Sequence, residues 1–395
     1  MKVLDTFAGA GGFSLGFEMA GCEVIGAVEV DAWASETFQF NHLNAKVIKA
    51  SIEDLSDADL EKHFGELKPE IILGGPPCQG FSICNKFNGD PKDPRNSLFE
   101  EFIRVGRVLS PKVMIMENVP NIVKAKTAEK VLVLDIIKKE FNELGYFVYR
   151  NILEAKYFGV PQIRKRLFVI ASKIELEQPF PLASHSIQNE DDLFGQDLLP
   201  CPTLWDAISD LPVVEAREGE EQSEYTMPPN TEYQKMLRGN CKVLYNHKAM
   251  KHSNRLVERF AHMKWGHSTS DVPDQHKPIK RNGNGEISGK VYDQNNRRMH
   301  PDKPCHTITA SFYANFVHPY RDRNFTAREG ARIQSFPDSY CFKGKPTVVS
   351  KKLLAREGRH DEKYLCQYNQ IGNAVPPLLA KAIATNILKQ LEMEK

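Results

Sequence analysis

Short apolar runs alternate with stretches of helical period through the first part of the chain. Lys2 to Thr6, Glu23 to Val28, Ile71 to Leu73, Val113 to Met116, Tyr146 to Ile152 and Arg166 to Ala171 predict strands. Between them, Phe13 to Met19, Leu98 to Leu109 and Ala128 to Leu144 predict helices. Strand and helix in turn are the signature of β-α-β units, so the pattern predicts an α/β domain on a doubly wound, mostly parallel sheet, which these six strands complete. After Ser172 the alternation fades, prolines and charges accumulate, and Asn282-Gly283-Asn284-Gly285 reads as a turn or loop. A smaller second domain is expected there. Near the end, Leu378, Leu379, Ala382, Ile383, Ile387, Leu388 and Leu391 form the apolar face of a helix from Pro377 to Glu392, expected to pack back on the first sheet. The division is therefore 1–172, 173–366 and 367–395, without repeats or low-complexity tracts.

A length of 395 residues suits two domains with a proper core. The eight cysteines form no Cys-x-x-Cys pair, so neither a disulfide framework nor a zinc site is suggested, and no metal is expected. The start, Met1-Lys2-Val3-Leu4-Asp5, reads as a strand, and no segment is apolar for long enough to cross a bilayer; a cytoplasmic protein is expected. Net charge is +1, but the average conceals an asymmetry. From Asn189 to Glu232 carboxylates face the single cation Arg217, whereas from Arg238 to Arg298 Lys and Arg outnumber Asp and Glu. The second stretch is either a solvated face or a cationic surface for nucleic acid.

The first strand runs into Asp5-Thr6-Phe7-Ala8-Gly9-Ala10-Gly11-Gly12-Phe13-Ser14-Leu15-Gly16. Glycines at a strand-to-helix turn let backbone approach a ligand, and the second strand ends at Glu29-Val30-Asp31, where a carboxylate suits ribose hydroxyls. The third glycine of the dinucleotide fingerprint is replaced by Ser14, although NAD or FAD binding remains the rival reading of such a loop. Gly75-Pro76-Pro77-Cys78-Gln79-Gly80-Phe81-Ser82 follows the apolar Ile71-Ile72-Leu73. A lone cysteine is usually a small buried hydrophobe. Here it stands at the carboxyl end of a strand, between prolines and glycines, ahead of a polar loop carrying Lys86, Lys92 and Arg95, and that context favours a nucleophile. Glu117 ends the fourth strand, as either a solvated carboxylate or a site acid. Gln162, Arg164 and Arg166 alternate, which places them on one side of the sixth strand, as edge ion pairs or as ligand contacts.

In this order these segments resemble the DNA cytosine-5 methyltransferase family, bacterial or phage type. The resemblance spans Asp5 to Pro376 through the glycine loop, Glu29, Gly75-Pro76-Pro77-Cys78-Gln79, Glu117-Asn118-Val119, Gln162 to Arg166, Arg328 to Pro337 and Gly372-Asn373-Ala374-Val375-Pro376. It implies a Rossmann-like domain dependent on S-adenosyl-L-methionine, a smaller target-recognition domain, and methylation of carbon 5 of a flipped cytosine in double-stranded DNA. Cys78 would attack carbon 6, Glu117 would bind N3 and the exocyclic amine, Arg166 would bind O2, and Arg164 would hold neighbouring backbone. The cofactor set is Phe7, Ala8, Gly9, Gly11, Gly12, Phe13, Glu29, Val30, Ser51, Ile52, Pro77, Leu98, Asn373, Ala374 and Val375. The DNA set is Gln79, Ser82, Lys86, Arg95, Lys277, Lys280 and Arg281. One departure is Ser51, where the family commonly has Asp before the isoleucine at the adenine. A monomer near the nucleoid is expected, with a cognate restriction endonuclease a candidate partner that forms no stable complex with it. The tRNA-directed branch of the family is the nearest rival, but its Cys-Phe-Thr signature is here Cys341-Phe342-Lys343. A Rossmann oxidoreductase and an inactive DNA-binding relative are the rivals from other classes.

Overall fold

The computed structural model describes residues 1–77, 98–127, 130–187, 198–280, 285–288, 296–347, 356, 358 and 364–393. The first part of the chain lays down β1 (Lys2–Thr6), β2 (Glu23–Val28), β3 (Lys46–Ile48), β4 (Ile71–Gly74), β5 (Val113–Asn118), β6 (Phe147–Glu154), β7 (Gln162–Ile163) and β8 (Lys165–Ser172). All but β7 join one seven-stranded sheet in the order β3-β2-β1-β4-β5-β8-β6. β1 to β5 are parallel, and β8 is antiparallel to β5 and to β6. The extra strand, β3, escaped the sequence because three residues at a sheet edge carry no readable period. The helices are α1 (Gly12–Met19), α2 (Ala32–Asn41), α3 (Asp57–Leu60), α4 (Leu98–Leu109) and α5 (Val133–Glu143), the last shorter than the expected 128–144.

Ile71, Ile72, Leu73, Val113, Met114 and Ile115 are fully buried, because central parallel strands are covered on both faces and so lose their alternation. From one side α4 contributes Leu98, Phe99, Phe102, Ile103 and Val105 to that core. The helix Pro377–Glu392 buries Leu379, Ile383, Ile387 and Leu391, and it lies hard against α1. A Cβ at Gly16 would stand 2.3 Å from Ala380 Cβ and 2.6 Å from the Pro377 carbonyl oxygen. Only glycine allows the two helices this approach.

The chain divides into two compact units, Met1–Gly159 with Arg164–Leu199 and Ala374–Lys395, and Val160–Ile163 with Pro200–Asn373. The first runs past Ser172 because its backbone stays tied: Leu176 N donates to Tyr149 Oη at 2.8 Å, and Ser184 N to Tyr157 O at 3.0 Å. The helix Gln367–Asn373 belongs to the second unit, where Asn369 Nδ2 donates to Ala310 O at 2.7 Å. The strand expected to carry Gln162, Arg164 and Arg166 on one face is broken at Arg164. Its first piece, β7, pairs instead with Cys305 and His306 of the second unit.

The second unit has short strands and is held by buried charge. Thr326 and Glu329 form a capping box at the helix Ala327–Ile333, and Glu329 takes both arms of Arg323, at 2.8 and 2.7 Å. Arg332 spans two carboxylates, meeting Asp338 Oδ1 at 2.6 Å and Asp210 Oδ1 at 2.9 Å. The Arg328 guanidinium donates to the carbonyls of Tyr245 and Tyr340. Charges this deep persist only when paired, so the run Arg328 to Pro337 is the polar core of the unit.

Candidate active site

A parallel sheet whose strand order reverses beside β1 presents its ligand crevice outside the carboxyl ends of its strands. The loop after β1 has Phe7, Gly9 and Gly11 in the left-handed region, with φ of 62°, 55° and 86°. Glycine enters that region freely, whereas Phe7 does so under strain. Both oxygens of Glu29 are engaged by backbone: Oε2 accepts from Gly9 N at 2.7 Å and Oε1 from Asp31 N at 2.8 Å. This carboxylate therefore fixes the glycine loop as well as lying near it. Burial raises the Glu29 pKa, against the hydrogen bonds from Asp31 and Gly9. Asp31 caps α2 through Ala34 N.

Beneath the loop, Ser14 Oγ donates to Asp5 Oδ2 at 2.7 Å, which explains a serine where a dinucleotide site would have glycine. Asp5 is pushed up to about 7, chiefly by burial, with the Glu29 charge adding to the shift. Neither Asp5 nor Asp31 was singled out from the sequence. Of the other expected cofactor residues, Val30 is 66% exposed and Ser51 half-buried, so both are open to a ligand. Ala8, Gly12 and Leu98 are buried, Phe13 packs edge-on against Phe17 and Phe168, and Ile52 lies in the hydrophobic core. Pro77 is half-buried.

At the ends of β5 and β8, Arg166 Nε meets Glu117 Oε1 at 2.8 Å. The antiparallel register brings them together, since Glu117 faces Phe168 and Asn118 faces Leu167, one residue from Arg166. The segment leading to Cys78 is close by: a Cβ at Gly75 would lie 3.5 Å from Glu117 Oε2. Asn118 ties that segment down, its Nδ2 donating to Pro76 O at 3.0 Å while its Oδ1 accepts from Val119 N at 2.8 Å. This role was missed, though an amide beside an acid at a strand end was its signal. Arg164 is fully buried and donates from Nη2 to Ala374 O at 3.1 Å. Burial, together with the Arg166 charge, holds its guanidinium well below the usual arginine range.

Gln162 is not part of this group; within the second unit it donates to Gln334 Oε1 at 2.8 Å and accepts from Ile308 N at 2.7 Å. Ala374 and Val375 are buried in the first unit, whereas Asn373 ends a helix of the second and is exposed. Cys78, Gln79, Ser82, Lys86, Arg95 and Arg281 lie outside the described residues. Lys277 pairs with Asp274 at 2.8 Å and Lys280 with Glu286 at 2.6 Å. Within the basic stretch Arg298 is structural, buried against Asp322 and several carbonyls. Among the described residues no helix is long and apolar enough to cross a membrane.

The mostly parallel sheet, the glycine loop after β1 and the acid after β2 define a Rossmann-like methyltransferase domain. The family model for C-5 cytosine-specific DNA methylases matches residues 1–389, and the chain belongs to that family of DNA cytosine-5 methyltransferases. It is 48% identical over 387 residues to the type II methyltransferase M.DdeI of Desulfomicrobium norvegicum, covering 98% of this chain and 88% of that one. To the type II methyltransferase M1.HphI of Haemophilus parahaemolyticus it is 34% identical over 393 residues, covering 98% and 87%. A prophage-encoded E. coli protein described as a DNA modification methyltransferase shares the fold with a TM-score of 0.71 at 24% identity, each chain covered to 99%.

Proposed function

We propose that this chain methylates carbon 5 of a cytosine flipped out of a specific duplex DNA sequence, through a covalent bond between Cys78 and carbon 6. The observation that carries the reading is the Glu117–Arg166 pair, with Asn118 fastening the segment that leads to Cys78 beside it. A cytosine edge offers an acceptor at O2, an acceptor at N3 and a donor at the amine. The guanidinium of Arg166 suits the first and the Glu117 carboxyl suits the other two. Carbon 5 is a weak nucleophile inside a stacked duplex, so the base must leave the stack for these groups to enclose it.

Thiolate addition at carbon 6 moves the carbon 5–carbon 6 π pair onto carbon 5, while Glu117 delivers a proton to N3. S-adenosyl-L-methionine, when bound, supplies the methyl group as an electrophile and is left as S-adenosyl-L-homocysteine. Loss of the carbon 5 proton to water then restores the double bond and expels the thiolate, while N3 returns its proton to the Glu117 carboxylate. The first unit fits that cofactor: Glu29 retains lone pairs for ribose hydroxyls beyond those taken by Gly9 and Asp31, and exposed Val30 offers an apolar face beside it. Arg164 supports the Ala374-Val375 segment from below. The second unit is proposed to read the sequence, with Lys277, Lys280 and Arg281 among its phosphate contacts.

DNA carrying 5-fluorocytosine at the target tests the scheme, because fluorine cannot leave as a cation. With cofactor, the wild-type protein should stall as an adduct that survives denaturation, and Cys78→Ala should form none. An equal yield of adduct from Cys78→Ala would show that another nucleophile is used.

A further inference from the structure

Arg104 lies on α4, the helix that begins at Leu98, and was not itself among the residues expected at the site. Its side chain is 20% exposed and each of its three guanidinium nitrogens is hydrogen-bonded. Nη1 meets Asp57 Oδ1 at 2.6 Å, while Nε and Nη2 meet Glu101 Oε2 at 2.8 and 2.7 Å. Nη2 also donates to the carbonyl oxygens of Ile52 at 3.0 Å and of Leu55 at 2.8 Å. Two carboxylates thus aim the guanidinium, and the guanidinium grips two carbonyls of one turn.

The Ile52 and Leu55 side chains anchor that turn in the hydrophobic core, but its backbone has few bonds of its own. It follows β3, a three-residue strand at the sheet edge, and consists of one 3-10 turn, Ile52–Asp54. Its own bonds are Asp54 N to Ser51 O at 3.1 Å and Leu55 N to Ile52 O at 3.3 Å. A single helical turn is not stable by itself, since it fixes several dihedrals for one or two bonds. The turn begins at Ser51, whose hydroxyl donates to Glu53 Oε2 at 3.3 Å and so keeps its lone pairs as acceptors. A hydroxyl attracts a ligand only over contact distance, so where the turn sits decides whether Ser51 contributes.

We propose that Arg104 is a positioning residue for the S-adenosyl-L-methionine site, holding the Ser51–Leu55 turn in place for the adenine end of the cofactor. The proposal rests on the cofactor placement given above. It predicts a loss confined to cofactor binding, because the hydrogen bonds of Arg104 among the described residues run to Asp57, Glu101, Ile52 and Leu55 and not to the Glu117–Arg166 pair.

The test compares wild type, Arg104→Ala, Arg104→Lys and Glu29→Ala, measuring Kd for the cofactor, KM for cofactor and for DNA, kcat and Tm. Arg104→Ala should raise Kd and KM for the cofactor about tenfold, the loss of two charge-assisted hydrogen bonds to the turn. At saturating cofactor, kcat and KM for DNA should stay within about twofold of wild type. Arg104→Lys should recover part of the affinity, since an ammonium reaches one carbonyl but not both. If Arg104→Ala does not fold, Arg104→Lys carries the test. Wild-type cofactor affinity in the folded Arg104 variants, with affinity lost in Glu29→Ala, overturns the proposal alone. A fall in kcat with a rise in KM for DNA as well as for the cofactor, together with a lowered Tm, overturns it in favour of a general stabilising role. Unchanged affinity in Glu29→Ala as well would mean that the cofactor site itself is misplaced, and the proposal falls with it.

Discussion

Asn118→Ala removes two hydrogen bonds at the foot of the segment that carries Cys78. The Val119 amide is part-buried, and water can replace its partner. The bond to the Pro76 carbonyl is buried, so that oxygen loses its partner within a site only 5% exposed at Asn118. A buried polar group left unsatisfied costs about 1–3 kcal/mol. Relieving that cost means displacing the Pro76 carbonyl, two residues ahead of Cys78, and the nucleophile moves with it. If the whole cost falls on reaching the transition state, the rate drops about 5- to 150-fold, at roughly 1.4 kcal/mol per tenfold. Asn118→Asp should fall at least as far, because a carboxylate oxygen would then face the carbonyl, acceptor against acceptor. Single-turnover methyl transfer at saturating DNA and cofactor is the assay, with adduct formation on 5-fluorocytosine DNA as a second readout. Cofactor affinity should fall far less than the rate, through the shift of Pro77 in the displaced segment. A folded Asn118→Ala protein with the wild-type single-turnover rate would refute the reasoning.

Glu29→Gln should weaken cofactor binding even if ribose still finds an acceptor, because an amide has one oxygen for Gly9 N and Asp31 N together; the lost bond costs about 1–3 kcal/mol, seen by calorimetry. Gly16→Ala should destabilise the first unit by about 1–3 kcal/mol through overpacking against Ala380, measured as a lowered Tm. Glu329 is held well below the usual carboxylate range by Arg323 despite its burial, so its contribution is present above the ordinary glutamate pKa and is lost as pH falls below it. Melting of the wild type should thus be acid-sensitive below about pH 4.5, whereas Glu329→Gln should lower Tm at neutral pH, by the equivalent of about 3–5 kcal/mol, and flatten the acid limb. Asp5 runs the other way: its pKa is raised to about 7, so its contribution is present below the ordinary aspartate value and lost as pH rises through 7, a slope that Asp5→Asn should remove. Replacing Lys277, Lys280 and Arg281 together by Ala should flatten the slope of log DNA affinity against log salt, though by less than three free cations would, because Asp274 and Glu286 already pair with two of them.

Elements with a strong apolar pattern were legible. Lys2–Thr6 and Glu23–Val28 fall where the pattern put them, as do the helices Leu98–Leu109 and Pro377–Glu392, since in each the buried positions outnumber any competing signal. What escaped was decided by distant partners. Alternation could align Gln162 with Arg166, but nothing local announces that Cys305 and His306 pair with Gln162 and Ile163, which breaks the strand at Arg164. The second unit was opaque for the same reason. Its residues read as charged and irregular, the very composition of a solvated surface, yet Arg328, Glu329 and Arg332 are its interior once Arg323, Asp210 and Asp338 supply the counter-charges.

The candidate site shows a related limit. Sequence order singled out the residues that would meet the substrate, because their chemistry is unusual at strand ends: an acid at Glu117, a carboxylate at Glu29, alternating arginines. Apart from Arg164, expected to hold neighbouring backbone, it said little about what holds them. Those holding contacts are side chains gripping backbone: Glu29 on the Gly9 and Asp31 amides, Asn118 on the Pro76 carbonyl, Arg164 on the Ala374 carbonyl, Arg104 on the Ile52 and Leu55 carbonyls. A carbonyl or amide is the same at every position, so such a contact imposes no demand on the residue type at its other end and leaves no second letter to read. It also tolerates change in the loop it grips, so long as the backbone path is kept. The loops after β1, β3 and β4 can then vary in side chain while their main chain stays where the chemistry needs it, and Ser51 in place of the family's usual aspartate is compatible with a cofactor site on that account.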